Sequence, residues 1–172
     1  DFERRQDLEA MGVEVVLDDS ETSQYDHFDM IVKNPGISNA HPLVKRFKHV
    51  INEIELASLV NTAANYYCVS GTNGKTTTVT MLYEMLKLKD DTALLAGNVG
   101  YALSEDVYHS GNIKRDIALE ISAFQMDNTP TLKPKVYALL NLTPDHLDRY
   151  DSVEDYYQAK LRIVDRCEYF IR

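Results

Sequence analysis

Between Val69 and Leu82 the chain reads VSGTNGKTTTVTML, two glycines, one lysine and a run of threonines set between a β-branched stretch and an amphipathic one. Gly71 and Gly74 allow the backbone to turn its N–H groups inward, and Lys75 adds a compact positive charge. Thr76 opens a helix whose dipole favours an anion. These are the parts of a phosphate cradle, with Gly71, Thr72, Asn73, Gly74, Lys75, Thr76 and Thr77 as its nucleotide contacts. The strict pattern G-x-x-x-x-G-K-[ST] asks for glycine where Val69 stands, so the loop reads as a shortened variant. The Thr76 hydroxyl is the natural Mg²⁺ ligand beside the phosphates. The rival account is a plain glycine turn capped by threonine. It leaves unexplained why strand, loop and helix all fall where a cradle needs them.

Transferring a phosphoryl group also takes metal ligands and groups that neutralise charge. Glu120 lies in ALEISAFQ, an acid inside an apolar strand, where an unpaired charge is costly and a metal partner is the better account. His146, in NLTPDHLDRY, follows a strand that ends at Asn141, at the carboxyl edge where open sheets bind ligands. A loop histidine is nonetheless ordinarily solvated or locally hydrogen-bonded. Lys160, in YYQAKLRI, reads on spacing alone as a solvated helix lysine. Cys68 and Cys167 are far apart, lack metal-type spacing and read as small buried hydrophobes.

The elements that must position these groups alternate. A helix through about Ala10, a strand Val13 to Leu17 and a buried strand Met30 to Val32 ending at Asn34-Pro35-Gly36 come first. A helix, an extended piece and a second helix follow, with a boundary placed near Asn61. From Tyr66 the pattern is strand, glycine loop, helix Lys75 to Leu88, strand to Ala96 and a Gly-Asn-Val-Gly loop. A helix from about Tyr101, strands DIALEIS and KVYALLN, and a helix from Val153 to Cys167 complete it. Strands taking turns with helices predict an α/β fold with a mostly parallel sheet. The 172 residues carry a net charge of −9, which argues against a broad nucleic-acid footprint. No run approaches the roughly 20 apolar residues of a membrane span, and no secretory h-region is visible, so no membrane role and a cytoplasmic site are expected.

Taken together, GTNGKTTT, NPGISNAHPLV, INEIELA, AGNVG, LEISAFQ, NLTPDHLDRY and YYQAKLRI resemble the Mur ligase family, ATP-dependent amide-forming enzymes of peptidoglycan precursor synthesis. The SAFQ and HLDRY signatures are similar to those of its D-glutamate-adding branch. The resemblance implies that Lys75 binds phosphates, that Thr76, Glu120, His146 and Lys160 serve two Mg²⁺ sites, and that Lys160 is carbamylated. It implies that Lys75, Lys160 and His146 act in catalysis, and that Asn98 and Ser122 contact the muramoyl substrate. Ala123 departs from the family, which commonly has a second serine there. The implied partners are ATP, UDP-N-acetylmuramoyl-L-alanine and D-glutamate, with a monomer expected. The implied fold is a P-loop ATPase domain over 61–172, preceded by part of a Rossmann-like UDP-binding domain over 1–60, with the amino-acid-binding domain absent. Two alternatives stand beside this: another amide ligase of the Mur or folylpolyglutamate type, and a nucleotide-binding module without catalysis.

Overall fold

The computed structural model describes residues 2–16, 22–145 and 149–172. Its main sheet has five strands: β3 (Asn65–Ser70), β4 (Leu94–Gly97), β5 (Asp116–Glu120), β6 (Val136–Leu139) and β7 (Tyr169–Ile171), in the order β4-β5-β3-β6-β7. Every pairing is parallel, with Val69 opposite both Glu120 and Ala138. Parallel neighbours need crossover connections, and the helices that make them cover the faces of the sheet. A smaller parallel pair, β1 (Met30–Val32) and β2 (His49–Ile51), precedes it, with α1 (Phe2–Ala10) ahead of β1 and α2 (Pro42–Arg46) in the crossover.

Side chains alternate across the sheet with period two. Tyr66, Cys68, Ile117, Leu119, Tyr137 and Leu139 point to one face, where Ile54 and Ala57 of α3 (Glu53–Val60) and Leu103 and Val107 of α5 (Leu103–Ser110) close the core. Val69 and Ala118 point to the other face, against Val79 of α4 (Lys75–Lys89). Helix α3 lies on the N-terminal side of the boundary expected near Asn61, yet it packs into this core. Asn52 caps it, and the same side chain donates to Gln125 O and Thr129 Oγ1.

The connections out of the two middle strands diverge. After β3 the chain crosses through α4 to β4, and after β6 through α7 (Val153–Leu161) to β7 on the opposite side. Divergence at adjacent carboxyl ends opens a crevice there, the place where open α/β sheets take ligands.

Three elements differ from the expectation. Of the strand expected over Val13 to Leu17, residues 13–16 form none and have no ladder partner among the described residues, and Leu17 lies outside those residues. The helix expected to reach Cys167 ends at Leu161, and a 3₁₀ turn at Val164–Arg166 leads into β7, which the sequence pattern did not announce. A single-turn helix, α6 (Ala123–Met126), follows β5.

Candidate active site

The glycine loop joins β3 to α4 at the crevice. Gly74 stands at the N-cap with φ 83°, a left-handed conformation that disfavours a Cβ, and no side chain caps the helix. The first N–H groups of α4 are therefore left for a ligand, with the helix dipole behind them.

Behind the loop stands Asn141, the second residue after the end of β6. Its Oδ1 accepts from the N–H groups of Thr72 (3.0 Å) and Asn73 (2.9 Å), and its Nδ2 donates to Asn73 O at 2.9 Å. Thr72 Oγ1 donates to Thr143 O and accepts from Thr143 N, both at 3.1 Å, and lies 3.2 Å from the Tyr156 hydroxyl. Sequence reasoning used Asn141 only as a strand end. An amide at the carboxyl end of the strand beside the loop was the available signal.

Thr76, next in the chain to Lys75, donates its hydroxyl to Glu120 Oε2 at 2.7 Å. Asn98 holds the other side of Glu120: its Nδ2 donates to Oε1 at 2.8 Å and its N–H to the Glu120 carbonyl at 3.0 Å. Gly97 makes that approach feasible, because a Cβ there would come within 2.2 Å of the Glu120 carbonyl oxygen. Glu120 is 1% exposed, and both side-chain donors to it are neutral, one from the first turn of α4 and one from the loop after β4. A hydroxyl and a carboxylate held together suit a hard divalent cation that draws its remaining ligands from phosphate and water, the habit of magnesium. Among the described residues no group of three or more His, Cys, Asp or Glu side chains gathers as an all-protein metal cage. These residues fit an ion that arrives with a nucleotide.

Lys75 and Lys160 meet on one acceptor. Lys75 Nζ donates to Gly71 O and Thr72 O, each at 3.0 Å. Lys160, only 2% exposed on α7, donates to the same Gly71 O at 3.0 Å, lies 3.4 Å from Ser70 Oγ and sits over the Tyr156 ring. Burial, and after it the charge of Lys75, pushes the Lys160 amine down to about 8. The solvated lysine that spacing suggested is thus a buried one at the glycine loop.

Ser122 forms a capping box with Gln125 at the start of α6. Its hydroxyl accepts from Gln125 N, and Gln125 Oε1 accepts from Ser122 N and Oγ. The S-x-x-Q spacing carries that signal in the sequence. Ser122 also lines, with Lys75, Asn98 and Phe124, a cleft of about 510 Å³ whose opposite wall is Asn34–Gly36. Gly71 to Thr77, Glu120 and Lys160 therefore converge at one rim of the sheet, with Asn98 and Ser122 on the adjoining cleft. His146 lies outside the described residues.

Residues 69–171 match the family model described as the Mur ligase middle domain. The chain is 37% identical over 163 residues to UDP-N-acetylmuramoylalanine--D-glutamate ligase of Trichlorobacter lovleyi, covering 92% of this chain and 36% of that protein. It is 38% identical over 167 residues to the protein of the same name from Bacillus subtilis, covering 94% and 37%. The one from Bacteroides thetaiotaomicron is 41% identical over 144 residues, covering 79% and 31%. The chain thus spans little more than a third of the length of these curated relatives.

Proposed function

The chain belongs to the Mur ligase family, and from that premise we propose that it carries the phosphoryl-transfer rim of an ATP-dependent ligase joining D-glutamate to UDP-N-acetylmuramoyl-L-alanine. The substrates are taken from the names of its relatives. The observation that carries the reading is the contact of Thr76 Oγ1 with Glu120 Oε2, which unites a hydroxyl and a carboxylate at the helix head behind the glycine loop.

In the proposed reaction a substrate carboxylate oxygen attacks the γ-phosphorus of ATP, the bond to the ADP oxygen breaks, and an acyl phosphate forms. The amine of D-glutamate then attacks the acyl carbon and loses a proton, and inorganic phosphate leaves. Both steps crowd anionic oxygens together, so the site must supply positive charge and directed donors. The uncapped N–H groups of α4 bind the phosphates, and Lys75 exchanges the carbonyls of Gly71 and Thr72 for phosphate oxygens. Thr76 and Glu120 would hold one Mg²⁺, and His146 with a carbamylated Lys160 would hold a second; bound there, such ions would supply charge neutralisation to the reacting anions.

Carbamylation has a local rationale. The neutral Lys160 amine adds to CO₂, a proton leaves, and the carbamate is an anion. An amine pushed down to about 8 is neutral in roughly a tenth of molecules at pH 7, far more than an ordinary lysine. The change replaces the second of two cations on Gly71 O with a negative group. Asn98 and Ser122 face the muramoyl substrate across the cleft. Residues 1–60 are proposed as part of the UDP-binding domain and 61–172 as part of the ATP-binding domain, in a protein that works as a monomer in the cytoplasm.

The test is ADP release by the complete enzyme given ATP, Mg²⁺ and UDP-N-acetylmuramoyl-L-alanine, with and without D-glutamate. Release that requires D-glutamate is expected. Release that requires a different amino acid moves the chain to a sibling ligase, and ATP binding without release under any pairing supports a non-catalytic module.

A further inference from the structure

Asn34–Gly36 form one wall of the cleft, and in the turn Asn34–Ile37 each of the four carbonyl oxygens is engaged. Asn34 O accepts from Ile37 N at 3.0 Å, and Asn34 Oδ1 accepts from Gly36 N at 2.8 Å. The buried Lys33 donates to Ile37 O at 2.8 Å from inside the turn. The other two carbonyls are held from the far half of the chain: Arg149 donates through Nη1 to Gly36 O at 3.2 Å and through Nη2 to Pro35 O at 3.3 Å. The same guanidinium lies over the ring of Phe124, 4.6 Å from its centroid, and Phe124 lines the cleft beside Ser122. Phe124 is stacked in turn on Tyr150, whose hydroxyl donates to Asp127. Arg149 therefore touches both walls of the cleft from behind.

We propose that Arg149 is a positioning residue that fixes the width of this cleft, holding the Asn34–Ile37 turn at a set distance from Phe124 before substrate arrives. A planar fork can donate to two adjacent carbonyls while its face rests on an aromatic ring, which an ammonium cannot do. A wall fixed in advance spares the bound state the cost of ordering a loop, so the gain falls on affinity for whatever fills the cleft. The ligand named here, UDP-N-acetylmuramoyl-L-alanine, rests on the function proposed above. The nucleotide loop is braced separately, by Asn141 and Thr143.

Isothermal titration of the complete enzyme with UDP-N-acetylmuramoyl-L-alanine, and separately with ATP and Mg²⁺, tests this. Arg149→Ala is expected to weaken the muramoyl ligand about tenfold, the size of one lost charge-assisted hydrogen bond, and to leave ATP affinity within about twofold. Arg149→Lys keeps the charge but not the fork and is expected to fall between, at roughly threefold. If the alanine variant does not fold, the lysine variant carries the test by the same contrast between ligands. Unchanged muramoyl affinity, or equal losses for both ligands, overturns the proposal. A wild-type enzyme that binds ATP but no UDP-N-acetylmuramoyl-L-alanine overturns the substrate assignment instead, and the role of Arg149 with it.

Discussion

Asp116 and Glu120 stand at opposite ends of β5, 5% and 1% exposed. At the amino end Asp116 has a cation: Lys89 Nζ lies 3.2 Å from Oδ2, while Asn65 Nδ2 donates to Oδ1 at 2.8 Å and Tyr67 adds a longer contact. Burial works to raise its pKa, but the bonds from Asn65 and Lys89 and the charge of Lys89 prevail and hold the carboxyl below its usual range. At the carboxyl end Glu120 has only the Thr76 hydroxyl and the Asn98 amide among the described side chains. Glu55 on α3 is a third case, with its oxygens closed off by the backbone N–H groups of Thr131 and Leu132 and by the Thr131 hydroxyl. Burial of an acid is therefore a poor guide to function by itself. An acid whose only side-chain partners among the described residues are a neutral hydroxyl at a helix head and a neutral amide on a cleft loop is the one arranged to receive a cation.

The sharpest way to break this contrast is Glu120→Gln, which keeps the shape and removes the charge. In the complete enzyme its turnover is expected to fall roughly 10²- to 10³-fold, the range for losing one electrostatic element of a transition state. Its denaturant midpoint should stay close to the parent's, since an uncompensated buried charge has been removed. Equal activity, or a large loss of stability, would place Glu120 with Asp116 as a structural acid.

Lys160 extends the comparison to a cation whose hydrogen-bond acceptors are neutral. The folded chain sheds this proton at about 8, before the unfolded chain does at 10.5, so stability should rise with pH across that window. The rise should amount to at most roughly 3 kcal/mol in CO₂-free buffer. Urea titrations of the parent and Lys160→Met at several pH values measure it, and parallel curves for the two would remove the buried amine from the argument.

Asp116→Asn is the reciprocal and smallest change. It should leave nucleotide binding intact and cost about 1–2 kcal/mol near neutral pH. Because the folded pKa of Asp116 is depressed, its contribution is present above the unfolded value near 3.9 and is lost as pH falls through the folded value. The parent's advantage over the variant should accordingly vanish in acid.

The strand before the glycine loop, the loop and the helix after it were legible because their signals are local: a short aromatic and apolar run, two glycines, then a 3.6-residue repeat. Glu120 was legible as an acid among apolar neighbours. Lys160 was not legible from spacing, because its burial depends on Ser70 and Gly71, which only the sheet brings to it. Ile163, Val164 and Cys167 prolong a helical spacing, so the pattern gave no reason to end α7 at Leu161 and start β7. Arg149 was equally hidden, since its partners Pro35 and Gly36 lie more than a hundred positions away in the chain. Ser122 shows a different difficulty: one hydroxyl serves a helix cap and lines a cleft, and sequence reasoning saw only the second.

The strand order also bears on how such a molecule is assembled during translation. Strand β3 ends in the glycine loop, yet both of its ladder neighbours, β5 and β6, are synthesised later. A nascent chain therefore displays its glycine loop before Asn141 leaves the ribosome to brace it. Until then β3 has two open edges, and pairings that must wait for distant sequence are slow and exposed to misassociation. The glycine loop cannot be braced by Asn141 until the strand that carries it has been made.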